Sequence, residues 1–458
     1  MALDLSNAVA DGLDPGEFRG ILKGASARLL GKDTSLSPFA TTVEMAGRRD
    51  FDVPRGEDRL TRNPFGVDEG RVLFSKTWQD LASKPQVIPC PLKKVMTRMV
   101  HADRVAYISG EVATALGLCV PLARTGGRVH DIGHPVLGHF GEGLITETIF
   151  KIFAERGING LGDVGAFMHH IHGVHVVDRI EKRRGHDGYG LCLTDQVRHA
   201  ILSHNGEDEV SEISPDRNID PEADIRRYIA EVIRNSGKVE FKGDIENAED
   251  VARYMKEVSK AVKMAAITPA TLEACIPRLV DTLQYGPNDL DDFIVAGLVK
   301  RDEIPEYVAR ELGTNAGDMI HTLVVDMIVH SYGKDRIGYS RRIAEVLMRF
   351  KREFLYPIYG RMDELLMDGG GGLGIMDVPK IDLKRKMLRL FRRNLRVLEN
   401  PGAHRDSPLI ADFFEGDVDN IARYQDRMWH IEGDAKNIQT VVDYVAGLTD
   451  RAFFRGSC

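Results

Sequence analysis

The chain is predicted to be all-α, on three observations. From Val72 onward apolar residues recur three or four positions apart, long stretches of alternating apolar and polar residues are missing, and a 43% hydrophobic content over 458 residues can fill a sizeable core.

The elements follow in order. Residues 1–62 read as an N-terminal arm: short helical patches, then the polar stretch GRRDFDVPRGEDRLTRNPFG with its two prolines. The segments VLFSKTWQDLA, VAYISGEVATALGL, GLITETIFKIFAE and VVDRIE carry helical spacing. HDGYGLCLT (186–194) reads as a loop or short hairpin before the helix TDQVRHAILSH, with Thr194 or Asp195 as its cap. Residues 206–240 are strongly charged and lead into a helix starting near Pro221. VARYMKEVSKAVKMAAI is amphipathic, and TPATLEACIPRLVDTLQY sets Leu272, Cys275, Ile276, Leu279 and Leu283 on helical spacing, with Asp281 in the same pattern. Further helices are expected from about 300 to 458, interrupted by MDGGGGLGIMDVP. No strand precedes those glycines, so they read as a mobile loop and not a phosphate cradle.

Composition narrows the function classes. A formal charge of -8 and a pI of about 6 give no global attraction for nucleic acid or an anionic membrane, so an anionic substrate needs local positive charge. Cys90, Cys119, Cys192, Cys275 and Cys458 are scattered, odd in number and without C-x-x-C spacing, which argues against a disulfide framework or zinc knuckle. With no signal-like start and no run of about 18 apolar residues, a cytoplasmic protein without a membrane partner is expected.

The chemistry concentrates in His101, the adjacent pair His130 and Asp131, and Asp281. Two imidazoles and two carboxylates can close around one divalent metal. Neighbouring helical side chains point about 100° apart, so His130 and Asp131 can both ligate only if the metal sits in a notch between helices. His134 and His139 follow in VHDIGHPVLGHFGE and can face the same cavity without ligating. This donor set suits Mn, Fe, Co, Ni or Zn better than Mg.

The ordered set of RMVHADRV, HD-x-G-H-x-x-x-G-H, D-x-x-x-Y and DY-x-AG-x-TDR resembles the HD superfamily, specifically the deoxynucleoside triphosphate triphosphohydrolases. NPFGVDEGRVLFSKTWQDLASKPQV (63–87) resembles the segment that opens that family's core, through Arg71, Ser75, Trp78, Leu81, Lys84, Gln86 and Val87, and FMHHIHGVHVVDRIE resembles its catalytic-histidine helix. The resemblance implies an HD-domain helical bundle over 63–300 and a C-terminal helical region, 301–458, packed on it. It implies His101, His130, Asp131 and Asp281 as ligands of one divalent metal, manganese favoured among Mn, Mg, Co, Fe and Zn, with a further Mg accompanying the triphosphate. His134, His139 and His169 become the groups that contact phosphates or move protons, with His169 the expected proton-transfer residue. Arg71, Arg98, Gln86, Tyr285 and Asp289 become the substrate contacts, Gln86 reading the 3'-hydroxyl and Tyr285 discouraging a 2'-hydroxyl. The implied products are a deoxynucleoside and inorganic triphosphate, and the implied partners are a second copy of the chain, often as a hexamer, and an allosteric nucleotide.

The sequence also departs from the family. Met168, His170, Ile171 and His172 surround His169 where an acid is usual, so His169, His170 and His172 compete for one role. Pro287 predicts that the helix kinks or ends just after Tyr285, which would take Asp289 out of reach. Gln79 and Asp80 replace a basic pair near Trp78. His199 and His204 are expected near solvent at a helix end, with a second metal as the sharper reading, and KRKMLRLFRRNLR (384–396) is expected as a solvated helix face over an apolar side, with nucleotide or single-stranded nucleic acid binding as the alternative. Competing functions are hydrolysis of another nucleotide, such as a guanosine tetraphosphate or a nucleoside monophosphate, and a nucleotide sensor with weak catalysis.

Overall fold

A computed structural model describes residues 12–48, 62–86, 96–181, 190–206, 211–241, 248–367, 380–426, 428, 431, 433 and 435–455. Val87, Cys90, Cys458 and the glycine run expected as a loop lie outside the described residues; among the described residues Cys119, Cys192 and Cys275 form no disulfide.

Helices dominate the described residues. In order they are α1 (Pro15–Leu29), α2 (Pro64–Leu73), α3 (Lys76–Asp80), α4 (Arg98–Leu116), α5 (Val120–Val129), α6 (Gly138–Glu155), α7 (His169–His175), α8 (Asp195–Ser203), α9 (Pro221–Gly237), α10 (Ala248–Lys263) and α11 (Leu272–Ala296). After residue 300 come α12 (Glu306–Glu311), α13 (Ala316–Ser331), α14 (Arg341–Arg349), α15 (Tyr356–Met367), α16 (Lys380–Glu399), α17 (Asp419–Gln425), α18 (Ala435–Ala446) and α19 (Asp450–Arg455). Two-residue strands β1 (Glu212–Ile213) and β2 (Ile337–Gly338) form an antiparallel pair with Ile213 opposite Ile337. No helix among the described residues is long and apolar enough to cross a membrane.

Local chemistry sets the ends. Thr97 accepts from the Val100 amide to start α4, and Gly117, in the left-handed region at φ 69°, ends it. Asp220 caps α9 directly before Pro221, where the start was expected. At α8 the Thr194 side chain does not cap: its hydroxyl and amide both reach Asp68 Oδ2 at 2.8 Å, tying α8 to α2.

Of the two outcomes expected at Pro287, a kink or an end, the end is overturned: α11 continues through Pro277 and Pro287 to a Gly297 cap at φ 79°. An interior proline costs about 3 kcal/mol, but burying a large apolar side chain contributes about 1.5–3 kcal/mol. Leu279, Val280, Leu283, Leu290 and Phe293 are all buried along this helix, so packing outweighs the missing bond.

The buried apolar side chains form two clusters. One runs from Phe65 and Trp78 through α6, α7, α8 and α9 to Phe391, Val441 and Phe453; the other joins α1, α4 and α11 to Leu323, Met327, Ile343 and Phe350. The segment after 300 therefore divides, its first half packing on the α4–α11 side and its second on the α6 side. In α16, Leu383, Met387, Leu390, Phe391 and Leu395 supply the expected apolar side, while Lys384 and Arg392 pair with Glu147 and Glu155 of α6.

Candidate metal centre

Close helix packing assembles the centre. A Cβ at Gly127 would lie 2.9 Å from the Ala106 backbone, so only glycine lets α5 approach α4 this closely. That approach brings the His101 and His130 rings to 5.3 Å between centroids, and α11 delivers Asp281 beside them. Gly133 acts likewise in the turn that follows, since a Cβ there would overlap the His169 carbonyl and the Gly173 amide.

The four expected ligands converge. His101 Nε2 lies 2.8 Å from Asp281 Oδ1, and His130 Nε2 lies 3.6 Å from Asp131 Oδ1 and 3.7 Å from Asp281 Oδ1. His130 donates through Nδ1 to the Gly127 carbonyl, 2.7 Å away, which leaves Nε2 as a buried lone pair without a hydrogen-bond partner. His101 Nδ1 is likewise held by Gln284 Oε1 at 2.6 Å, which turns Nε2 toward the carboxylates. Lone pairs and carboxylates facing one another in a dry site call for a positive charge between them, so the donors fit a divalent cation. Burial opposes ionisation of Asp131, yet His130, His134 and Arg98 hold its carboxyl well below the usual range; against the same burial, His130 and His101 bring Asp281 down to about 2.

A second group adjoins the ligands. His134 Nε2 contacts Asp131 Oδ1 at 3.1 Å, and its ring stacks on His169 with centroids 3.9 Å apart. Glu142, absent from the expected site, organises this group: it accepts from His139 Nδ1 at 2.7 Å, from the His169 amide at 2.9 Å and from His169 Nδ1 at 3.1 Å. Burial would raise the Glu142 carboxyl, but His169 and His139 hold it well below its ordinary value. The signal for it was present in HFGE, an acid three residues after His139, which is one helical turn. His139 sits at the rim with 75% of its side chain exposed, while His134 and His169 are buried.

Among the three competing histidines, only His169 reaches Glu142. His170 Nε2 contacts Tyr228 Oη at 3.0 Å, and His172 Nδ1 contacts the Gly133 carbonyl at 2.9 Å. The solvent-near expectation for His199 and His204 is overturned, because α8 is enclosed by its neighbours: the two are 0% and 2% exposed. His204 Nε2 meets His169 Nε2 at 3.0 Å, and burial followed by neighbouring imidazoles holds its pKa down at about 3. His199 turns away to Asp224 at 3.0 Å.

The expected substrate contacts are only partly gathered. Arg98 is buried, with Nη1 2.8 Å from Asp131 Oδ2 and Nη2 3.1 Å from the Gln86 carbonyl, and Gln86 Oε1 is buried without a partner. Asp289 is 1% exposed despite Pro287 and accepts from Tyr359 Oη at 2.5 Å; burial pushes its carboxyl up to about 7. Tyr285 lies under Lys351, whose Nζ is 5.9 Å from the ring centroid. Arg71 binds the Cys192 carbonyl at 2.6 Å and sits 3.6 Å from Asp68, none of these a member of the cluster.

Residues 98–286 match the family model of the HD domain. Among curated relatives, the deoxyguanosinetriphosphate triphosphohydrolase-like proteins of Caldanaerobacter subterraneus subsp. tengcongensis and Parvibaculum lavamentivorans are 25% and 26% identical to the chain. The first match covers 91% of this chain and 89% of the relative, the second 91% and 93%. The protein of the same name from a Caulobacter species is 30% identical over 269 residues, 58% of this chain and 55% of the relative. The histidine–aspartate centre that the helices build thus lies within the stretch similar to HD domains, residues 98–286, which supports metal-dependent phosphohydrolase activity.

Proposed function

We propose that the chain hydrolyses deoxynucleoside triphosphates to deoxynucleoside and inorganic triphosphate. One observation carries the reading: the His101, His130, Asp131 and Asp281 set stands beside histidines anchored on Glu142, in a chain whose relatives over nine-tenths of its length are named for that reaction on dGTP.

A divalent metal held by those four residues would supply Lewis acidity to the α-phosphate and the attacking water. Arg98, a turn before His101, adds positive charge where phosphate oxygens approach. Glu142 fixes His139 through Nδ1, which leaves Nε2 at the exposed rim free to hand a proton to the departing 5'-oxygen. His169 shares Glu142 and passes its own Nε2 to His204, so its role is to hold and relay the proton inside the wall. Gln86 and Tyr285 are assigned to the sugar, with Asp289 behind them. The reading retains a catalytic core over 63–300, assembly with further copies and a cytoplasmic setting.

The test incubates the purified chain with each deoxynucleoside triphosphate, singly and in mixtures, with Mn, Mg or Co, and identifies products by chromatography. Release of triphosphate supports the proposal. Its absence under every condition, or release of pyrophosphate or monophosphate instead, overturns it.

A further inference from the structure

Helix α16 carries a row of arginines on its outer face. Arg385, Arg389, Arg392, Arg393 and Arg396 are all exposed, and the helical repeat sets them within about 100° of arc and about 17 Å of axis. The inner face is the packed one, with Leu383, Met387, Leu390, Phe391 and Leu395 buried. The chain as a whole is acidic, with 69 Asp and Glu against 61 Lys and Arg, so this concentration runs against its composition.

We propose that the row binds the phosphate backbone of single-stranded nucleic acid. Residues three or four apart on a helix are neighbours, so Arg389 meets Arg385, Arg392 and Arg393, and Arg396 meets the last two. Like charges at that spacing destabilise a helix, whereas a merely solvated face sets Glu against Lys there. The fold answers only part of the charge. Arg385 has Asp382 at 3.5 Å and Arg392 pairs with Glu155, but Arg389 and Arg396 have no carboxylate partner among the described residues.

The residue type points to phosphate. All five exposed cations are arginine, whose planar fork takes phosphate oxygens in pairs. The neighbouring lysines are used within the fold, Lys384 on Glu147 at 2.8 Å and Lys386 over the Phe453 ring.

The shape of the row selects the occupant. A mononucleotide is too short to span it, while arginines three or four residues apart stand about 4.5–6 Å apart along the axis and can follow successive phosphates of one strand. A duplex is broader, and its second strand would meet Glu155 beside the row and Asp382 and Glu399 at its ends. An anionic membrane is gripped by apolar side chains set among the charges, and those of α16 are in the core. The row is also separate from the metal centre: Glu155, which holds Arg392, lies about 20 Å along the α6 axis from Glu142.

The experiment follows fluorescence anisotropy of labelled oligodeoxythymidine and oligouridine, each of about 20 nucleotides, with the full chain at about 50–200 mM salt, and of a duplex of the same length. Expected are saturable binding of one or both strands, at least tenfold weaker binding of the duplex, and a slope of log affinity against log salt of about −2 to −3.5, as for three to five neutralised phosphates. The stronger of the two strands tells DNA from RNA as the source. Joint Arg389→Gln and Arg396→Gln should weaken binding at least tenfold and flatten the slope by about 1.4. Joint Arg253→Gln and Arg341→Gln, exposed arginines on α10 and α14, should leave it unchanged. Photo-crosslinking of a bromodeoxyuridine strand to the wild-type chain keeps the test decisive should a variant not fold, because the cross-linked peptides should come from α16. Overturning results are no saturable binding at the lowest salt, duplex binding as tight as that of the strands, unchanged affinity in the folded α16 variant, equal loss in the α10 and α14 variant, or cross-links confined to other helices. None of these readouts depends on which nucleotide the chain hydrolyses.

Discussion

The buried ammonium of Lys84 lies 2.7 Å from the main-chain oxygen of His134, directly behind the metal centre. The same Nζ donates at 3.0 Å to the Ala446 carbonyl, 362 residues on from Lys84, so one side chain ties the turn at His134 to α18. Lys84→Met keeps the apolar stem but strands both carbonyls, each costing about 1–3 kcal/mol. A fall of that order in unfolding free energy by chemical denaturation, with loss of activity, is expected; unchanged values would show that the clamp carries nothing.

Glu142→Gln removes the anion that holds His139 and His169 but touches none of the four ligands. The turnover rate should fall roughly 100- to 10,000-fold with metal content unchanged by elemental analysis. Loss of metal instead would move Glu142 into the ligand set.

Gln284 orients His101 from behind, at 2.6 Å. Gln284→Leu should weaken manganese binding about 10- to 100-fold by calorimetry, the usual cost of losing such support. An unaltered affinity would mean that packing alone aims the imidazole.

Asp289 gives a pH prediction. Burial pushes its carboxyl to about 7 in the folded chain, against about 3.9 unfolded, so between those values the unfolded chain ionises first and stability falls as pH rises. Asp289→Asn removes this penalty, up to about 4 kcal/mol. The variant should melt above the wild type at pH 8, with the gap closing toward pH 4, and should hydrolyse less substrate. Equal melting points at pH 8 would refute it.

Acid should loosen the α7–α18 contact in two steps. Burial holds His172 at a pKa of about 4, below its unfolded value near 6.5, so its share of stability is lost as pH falls between those values. Despite burial, His175 and then His172 hold Asp443 below its ordinary pKa, so its share is present above the unfolded value near 3.9 and is lost as pH falls through the folded one. Melting curves from pH 7 to 3 should decline throughout. In His172→Phe the first step should disappear.

The helices, the adjacent His130–Asp131 pair as part of a candidate centre and the start of α9 were legible because each is local: a 3.6-residue period, two neighbouring donors, a proline after a capping aspartate. A single chain does not encode distance, however. Pro287 read as a helix end because its lost hydrogen bond is local, while the apolar burial that outweighs it comes from helices elsewhere in the chain. His204 read as solvent-near because the helices that enclose α8 are remote in sequence. By itself the sequence determined a helical fold and singled out four candidate metal ligands in a recognisable order. Only the tertiary structure decided that Glu142 gathers His139 and His169 and that His204 stands behind them, because such partnerships arise where helices distant in sequence meet side by side.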